Sequence, residues 1–285
     1  MGDEGFANPA DRPGQDRDAP RRAAGRDRAR GGVSGVVRRQ LCDRTIALRR
    51  RRIQNPVRAL LLVGGAEFHN RPIHYAELAG IFAGEAGVDL RITSDLDTLE
   101  VRSLARYDAI INWSTGLRAR SRQIAALIDA VEHGVGFLGL HAATATFLNS
   151  GRYLTFLGAA FIKHPPIYTF RVDVAEAGHP ITRGVESFAV EDERYEIGGS
   201  DGELRSMARL IDGGASERDG RAICVSPFSA DADVLARAED FPILYARTAR
   251  HGRLHYNALG HDERSLRNPS VRQLCRQGLA WVAGS

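Results

Sequence analysis

Four histidines in this chain occur in short segments that follow apolar runs: His69, His141, His164 and His261. Imidazole titrates near neutral pH, so it can transfer protons or bind a metal ion. The acidic pair Asp192-Glu193 supplies carboxylates that can orient an imidazole or act as a base. Together these groups favour proton transfer or hydrolysis on a polar small molecule.

Each of these residues also has a purely structural interpretation. His69 could be a loop hydrogen-bonding group, and His164 could stabilise a turn before Pro165. The acidic pair could be a solvated charge run, and His261 could belong to a turn that ends a strand. The placement of the whole set after predicted strands favours the functional interpretation.

The predicted site divides into catalytic and substrate-binding residues. We expect catalysis by His141, with His69, Asp192, Glu193 and His261. We expect substrate contacts from His164, Trp113, Tyr195, Gly65 and Asp262, the two aromatic rings being stacking surfaces for a sugar ring. No residue is assigned to a metal and no cofactor is expected, because tight His-x-x-x-His or Cys-x-x-Cys spacing is missing. A divalent metal bound by scattered ligands stays open. Gly64-Gly65 is not a dinucleotide fingerprint, which disfavours a Rossmann oxidoreductase.

The segment around His141 is the most informative. Residues 136–140 read as a buried strand that ends in the small-residue turn His141-Ala142-Ala143. Hydrolases and amidotransferases expose a nucleophile on such a strand-to-helix elbow. Here the elbow carries imidazole where those enzymes carry Ser or Cys, so covalent catalysis is not predicted.

Hydrophobic periodicity predicts the elements that position these residues. Strands are predicted over 57–63, 88–93, 109–113 and 136–140, with helices over 73–87, 99–104 and 121–132. This alternation indicates an α/β fold with a mainly parallel sheet covered on both sides. Further strands are expected over 168–174 and 222–225, followed by a hairpin of 243–247 with 252–259 and a helix over 271–283. Residues 56–285 therefore form one domain.

The N-terminal part has a different composition. Residues 1–55 contain 14 arginines and 7 acidic residues, whereas the rest is mildly acidic. Such an arm can bind nucleic acid or anionic lipid, but it has almost no aromatic residues for base stacking. Its low hydrophobicity and high charge favour a disordered extension, with at most a frayed helix over 36–52.

The cysteines and the lengths of the apolar runs indicate the cellular compartment of the protein. The three cysteines Cys42, Cys224 and Cys275 do not form a disulfide framework. No apolar run approaches the roughly 20 residues that span a bilayer, and the first 30 residues lack the apolar core of a secretory signal. A cytoplasmic protein without a membrane partner is expected.

Six short motifs in order resemble the trehalose-utilisation (ThuA-like) family. They are Gly64-Gly65 with Phe68-His69, 136–143 (GFLGLHAA), 161–165 (FIKHP), 179–182 (HPIT), 192–195 (DERY) and 258–262 (ALGHD). The resemblance implies a class I glutamine amidotransferase-like fold, a three-layer sandwich with a flavodoxin-like sheet. Those glutaminases have cysteine at the elbow, so glutaminase activity is not implied. Many relatives have Arg-His-Asp after the first strand, whereas this chain has Phe68-His69-Asn70 and lacks that carboxylate.

The resemblance implies a role in carbohydrate metabolism, on trehalose or a related disaccharide or keto-sugar. The leading hypothesis is a hydrolase or isomerase that uses acid/base chemistry from loop His and Asp/Glu residues. The alternative is a non-catalytic sugar-binding or regulatory module on the same scaffold. The expected partner is a small-molecule sugar; a homo-oligomer is compatible with the sequence, and nucleic acid is not expected.

Overall fold

The computed structural model describes residues 55–84, 87–100, 104–198 and 231–284. The Arg-rich segment 1–55, except for its last residue Asn55, lies outside these residues. The predicted strand over 222–225 also lies outside them. Within the described residues the fold is mixed α/β with one large sheet.

Five parallel strands form one side of this sheet. In spatial order they are β2 (Val88–Thr93), β1 (Val57–Leu62), β3 (Ala109–Asn112), β4 (Gly136–Leu140) and β11 (Gly252–Asn257). The three central strands β1, β3 and β4 are apolar and almost entirely buried, as expected for parallel strands covered on both faces. The four predicted strands are confirmed, with small differences at their ends.

Antiparallel strands extend the sheet. After β11 come β10 (Phe241–Ala249), β9 (Asp233–Ala238), β6 (Tyr168–Val174) and β7 (Phe188–Asp192). The β10–β11 pair is the predicted hairpin, and β6 is the predicted half-exposed strand. A separate antiparallel pair joins β5 (Ala160–Lys163) to β8 (Glu196–Gly198).

Helices cover both faces of the sheet. The described helices are α1 (Pro72–Phe82), α2 (Ser121–Glu132), α3 (Gly151–Leu157), α4 (Glu263–Leu266) and α5 (Pro269–Val282). Helix α1 contacts α5, and α2 contacts α3. The β1–α1–β2 and β3–α2–β4 crossovers run in opposite directions along the sheet, so right-handed connections place α1 and α2 on opposite faces. No described helix is long and apolar enough to cross a membrane.

One helix prediction differs from the structure. The helix predicted over 73–87 ends at Phe82, and the chain turns at Ala83 and Gly84. The helix predicted over 99–104 lies partly outside the described residues, and Leu104 at its end is helical. A separate helical turn, Leu96–Leu99, precedes it and is capped by the Asp95 side chain, which accepts a hydrogen bond from the Asp97 N–H.

Candidate functional site

Four neighbouring parallel strands position the residues of the candidate site. Strands β1, β3, β4 and β11 are adjacent in the sheet and point the same way, so their carboxyl ends meet at one edge. His69, Thr115, His141 and His261 follow these strands in that order. The edge includes the point between β1 and β3 where the crossovers change direction, and open α/β sheets place their ligands in the crevice at such a point.

The elbow after β4 fixes the ring of His141. Its φ of 41° lies in the left-handed region, which residues other than glycine rarely adopt. The Tyr256 hydroxyl donates to the His141 carbonyl at 2.8 Å, and Nδ1 of His141 donates to the Ala258 carbonyl at 2.8 Å. Because that carbonyl can only accept, Nδ1 carries the proton and Nε2 faces the site.

The loop after β1 holds His69 against the loop after β3. Nδ1 of His69 lies 2.5 Å from Thr115 Oγ1, and the His69 side chain is buried. Gly65 makes this approach possible: its φ is 101°, and a Cβ placed there would lie 1.6 Å from the Thr115 carbonyl oxygen. Gly65 therefore positions the two loops by its lack of a side chain.

Glu193 is the carboxylate of the site. It lies between β7 and β8, and its Oε2 is 3.4 Å from His141 Nε2 and 3.0 Å from His261 Nδ1. The other oxygen, Oε1, is 3.6 Å from Nε2 of His164. One carboxylate therefore contacts three imidazoles.

The histidines also contact each other. Nε2 of His69 lies 2.8 Å from Nδ1 of His261, and the rings of His69 and His141 are 5.0 Å apart. One ligand atom each from His69, His141, Glu193 and His261 lies within 4.8 Å of all the others. We call these four residues the His₃Glu cluster. Such a donor set can exchange protons or hold a metal ion.

The protonation states of the His₃Glu cluster follow from burial and mutual contact. Burial, then the neighbouring His141 and His261, lowers the pKa of His69 to about 2. Burial would raise the pKa of Glu193, but hydrogen bonds and Coulomb attraction from His141 and His261 hold it well below its ordinary value. Burial likewise opposes the charged form of His261, yet the bond to Glu193 raises the pKa of His261. At neutral pH Glu193 is therefore ionised and His69 is neutral.

Asp192 and Trp113 hold the loop that carries His261. The Asp192 carboxylate accepts from the backbone N–H of Gly260 at 2.8 Å and of His261 at 3.2 Å, and from the Ser265 hydroxyl at 2.5 Å. The Trp113 Nε1–H donates to the Gly260 carbonyl at 3.0 Å. Both side chains are buried, and burial is the main cause that raises the pKa of Asp192. Asp192 and Trp113 thus fix the backbone of the loop that carries His261.

Comparison with known proteins places the chain in a family. A profile described as trehalose utilisation (ThuA) matches residues 58–282, most of the chain. The chain belongs to the ThuA family. The resemblance inferred from the six motifs is thereby confirmed. A search of curated proteins finds no match.

Solved structures share the fold of this ThuA-family protein. A ThuA-like protein from Parabacteroides merdae has 14% identity and a TM-score of 0.63, over 80% of this chain and 90% of that one. A ThuA-like protein from Bacteroides uniformis has 21% identity and a TM-score of 0.58, over 80% and 92%. A cytoplasmic protein from Salmonella typhimurium has 11% identity and a TM-score of 0.53, over 79% and 99%. At these identities the likeness concerns the fold alone.

The predicted site residues of this ThuA-family protein differ in their position relative to the His₃Glu cluster. Four of them, the His₃Glu cluster, meet at the centre, and His164 lies at its more exposed rim. Tyr195 is buried, with its ring centroid 4.1 Å from that of His141, so it packs against the cluster and is not the stacking surface for a sugar that was predicted. Asp262 caps α4 and pairs with Arg264, at the surface beside the cluster.

Two other predicted roles change with this placement. Trp113 has no exposed surface, so its ring does not offer a face to a sugar; it packs between the rings of His69 and His74. Asp192 has both oxygens engaged by the loop around His261, so it positions that loop and Glu193 contacts the histidines.

Sequence reasoning missed three supporting residues. Thr115 contacts His69, and Tyr256 anchors the elbow at His141. His74 is buried in α1, where its Nδ1 donates to the His69 carbonyl at 2.9 Å. Thr115 follows a predicted strand and could have been found from that position. Tyr256 and His74 lie within regular elements and give no such signal.

Proposed function

We propose that this ThuA-family protein is an enzyme of carbohydrate utilisation that acts on trehalose or a related disaccharide or keto-sugar. The family description supports the substrate class. The position of the His₃Glu cluster, in the crevice at the carboxyl ends of parallel strands, supports a small polar substrate there. The name of the Salmonella typhimurium structure, a cytoplasmic protein, favours action inside the cell.

The chemistry that we propose is acid/base catalysis without a covalent intermediate. The observation that carries it is the shared carboxylate: Glu193 contacts His141 and His261 through one oxygen and His164 through the other. An ionised carboxylate in contact with imidazoles can accept a proton or stabilise an imidazolium. Sugar hydroxyl and carbonyl groups are substrates for such transfers, in hydrolysis as well as in isomerisation.

His164 is the histidine best placed to meet the substrate. Its side chain is 35% exposed, whereas those of Glu193 and His261 are 11% and 13% exposed and that of His141 is fully buried. Its Nδ1 donates to the Pro165 carbonyl, so Nε2 is free to take a proton and to deliver it between Glu193 and a sugar oxygen. The elbow at His141 supports kinship with amidotransferase-like scaffolds, and its imidazole argues for proton transfer there instead of nucleophilic attack.

A panel of trehalose, related disaccharides and their keto derivatives tests this function. Turnover of one panel member by the wild-type chain, lost in His141→Ala, is expected. His133→Ala is the matched control, because His133 is an exposed histidine at the end of α2, bonded to Asp129. Turnover that persists in His141→Ala contradicts the proposal. Saturable sugar binding without turnover favours the sugar-binding alternative.

A further inference from the structure

Four possible ligand atoms of the His₃Glu cluster lie close together, within 4.8 Å of one another. We propose that His69 Nε2, His141 Nε2, His261 Nδ1 and Glu193 Oε2 bind one divalent transition-metal ion. The inference deepens the proposed function and rests on it for the role of the cleft, but the binding itself is measurable without any substrate.

His141 supplies the first argument. Its Nδ1 donates to the Ala258 carbonyl, so the neutral ring presents an unprotonated Nε2 to the cluster. This atom is fully buried and has no hydrogen-bond partner among the described residues. Its neighbour at 3.4 Å, Glu193 Oε2, is also an acceptor. A cation between these two atoms removes the free-energy cost of an unpaired buried polar atom. That cation is a proton when the His141 ring is an imidazolium, and a metal ion can take its place when the ring is neutral.

His261 supplies the second argument. Its Nδ1 lies 2.8 Å from His69 Nε2 and 3.0 Å from Glu193 Oε2. A single N–H on this nitrogen can point well at one of these acceptors but not at both. A cation among the three atoms satisfies all of them at once.

The distances and donor types suit a transition metal. Ligands about 2.1 Å from a tetrahedral ion lie roughly 3.4 Å apart, and the three contacts within the cluster are 2.8, 3.0 and 3.4 Å. The four ligand atoms are spread over up to 4.8 Å, so binding would draw the most distant pair together by about an ångström. Three imidazoles and a carboxylate are ligands that Zn²⁺, Mn²⁺ and Fe²⁺ share, and they disfavour Mg²⁺ and Ca²⁺, which prefer oxygen.

Each proposed ligand is held by an outer contact, as in established metal sites. The Ala258 carbonyl fixes the tautomer of His141, and Thr115 contacts the outer nitrogen of His69. Asp192 holds the backbone of His261, and Glu193 keeps Oε1 toward His164. With the ion in place, His164 is the imidazole outside the coordination set that remains for proton transfer. The ion supplies Lewis-acid polarisation of a bound sugar oxygen.

Metal titration of the purified full-length chain tests this inference. The protein is stripped with a chelator, its metal content is measured by mass spectrometry, and it is titrated with Zn²⁺, Mn²⁺ or Co²⁺. The visible absorption of Co²⁺ reports nitrogen and oxygen coordination directly. One equivalent per chain is expected for the wild type and for His133→Ala. His141→Ala and Glu193→Gln are each expected to weaken binding by at least about tenfold, with circular dichroism showing that the variants are folded.

The outcomes separate this inference from the proposed function. Absence of stoichiometric binding in the wild type, or equal binding in His141→Ala, overturns the metal site. Full turnover of a panel sugar by metal-free protein overturns the catalytic role of the ion and supports acid/base catalysis by the protein groups alone. Stoichiometric binding without turnover of any sugar supports the metal site and counts against the proposed function.

Discussion

His261 Nδ1 lies 3.0 Å from Glu193 Oε2, although the two residues come from opposite ends of the antiparallel part of the fold. Glu193 follows β7, at the far edge of the sheet, and His261 follows β11, in its parallel half. The segment between β7 and β8 thus returns to the parallel half and brings a carboxylate to histidines that parallel strands have already gathered. The negative charge within the His₃Glu cluster therefore depends on the path of the segment that carries Glu193.

Replacing Glu193 by glutamine tests that dependence. Glu193→Gln keeps the side-chain shape but removes the charge that stabilises imidazolium and accepts protons. We expect turnover to fall by at least about 10²-fold, the usual scale for a lost acid/base group, with an unchanged far-UV circular dichroism spectrum. Steady-state kinetics on the substrate found in the sugar panel provides the measurement.

Glu191→Gln is the matched control for that variant. Glu191 is an exposed neighbour that pairs with Arg264 at 2.7 Å, and exposed pairs contribute little to stability. Its turnover is expected to stay within about twofold of the wild type, since surface changes of this kind have small effects. A similar loss of turnover in both variants would show that the overall negative charge of this segment matters, and not the contact of Glu193 with the histidines.

The parallel half of the fold could be predicted from the sequence because its signals are local. Helix α2 and strand β4 were predicted at their observed bounds, since apolar residues at helical spacing and an unbroken apolar run each identify one element. The convergence of His69, His141 and His261 followed from the rule that carboxyl ends of parallel strands share an edge. The antiparallel pairing of β6 with β7 and β9 was not predicted, because its partners are distant in sequence.

The choice between Asp192 and Glu193 could not be made from the sequence. Neighbouring residues at a strand end point in opposite directions, so the role of each depends on where β7 stops. The strand stops at Asp192, which turns toward Gly260, and Glu193 then faces the histidines. Trp113 was misjudged for a similar reason: an aromatic residue after a strand can face the cleft or the core, and this one lies in the core.

The left-handed backbone at His141 predicts an unusual order of stability among substitutions. Asparagine tolerates this region better than other non-glycine residues, whereas a β-branched residue does not. We expect His141→Val to be less stable than His141→Asn by about 1–2 kcal/mol, and both to lose activity. Urea denaturation of the two variants provides the comparison. Equal stabilities would mean that the elbow does not hold this conformation in solution.

Asp192 is expected to act on the site through the loop that it holds. In Asp192→Asn the amide nitrogen meets donors from Gly260 or Ser265, so one buried group loses its partner. We expect a loss of about 2–3 kcal/mol in the free energy of unfolding and a reduced kcat from a displaced His261.

Ser265→Ala serves as the graded control for Asp192→Asn. It removes one neutral donor and leaves the three backbone bonds of the carboxylate in place, so a loss of about 1 kcal/mol is expected. If Asp192→Asn is no less stable than Ser265→Ala, the carboxylate does not organise this loop.

His255, outside the site, predicts how stability depends on pH. It is fully buried in β11, its Nδ1 donates to the Tyr245 carbonyl at 2.8 Å, and burial is the main cause that lowers its pKa to about 4. The unfolded chain binds this proton near pH 6.5. Between about pH 6.5 and 4 the unfolded state therefore holds more protons than the folded state, so this contribution is complete above pH 6.5 and is lost as the pH falls. The expected slope is up to about 1 kcal/mol per pH unit.

Urea denaturation of the wild type and His255→Gln between pH 4.5 and 7.5 isolates this contribution. Glutamine does not titrate, so the difference in unfolding free energy between the two proteins is expected to change steadily below pH 6.5 and to be constant above it. Other buried histidines, including His69, contribute equally to both proteins and cancel in the difference. A difference that is independent of pH over the whole range would mean that His255 takes up its proton as readily in the folded chain as in the unfolded one.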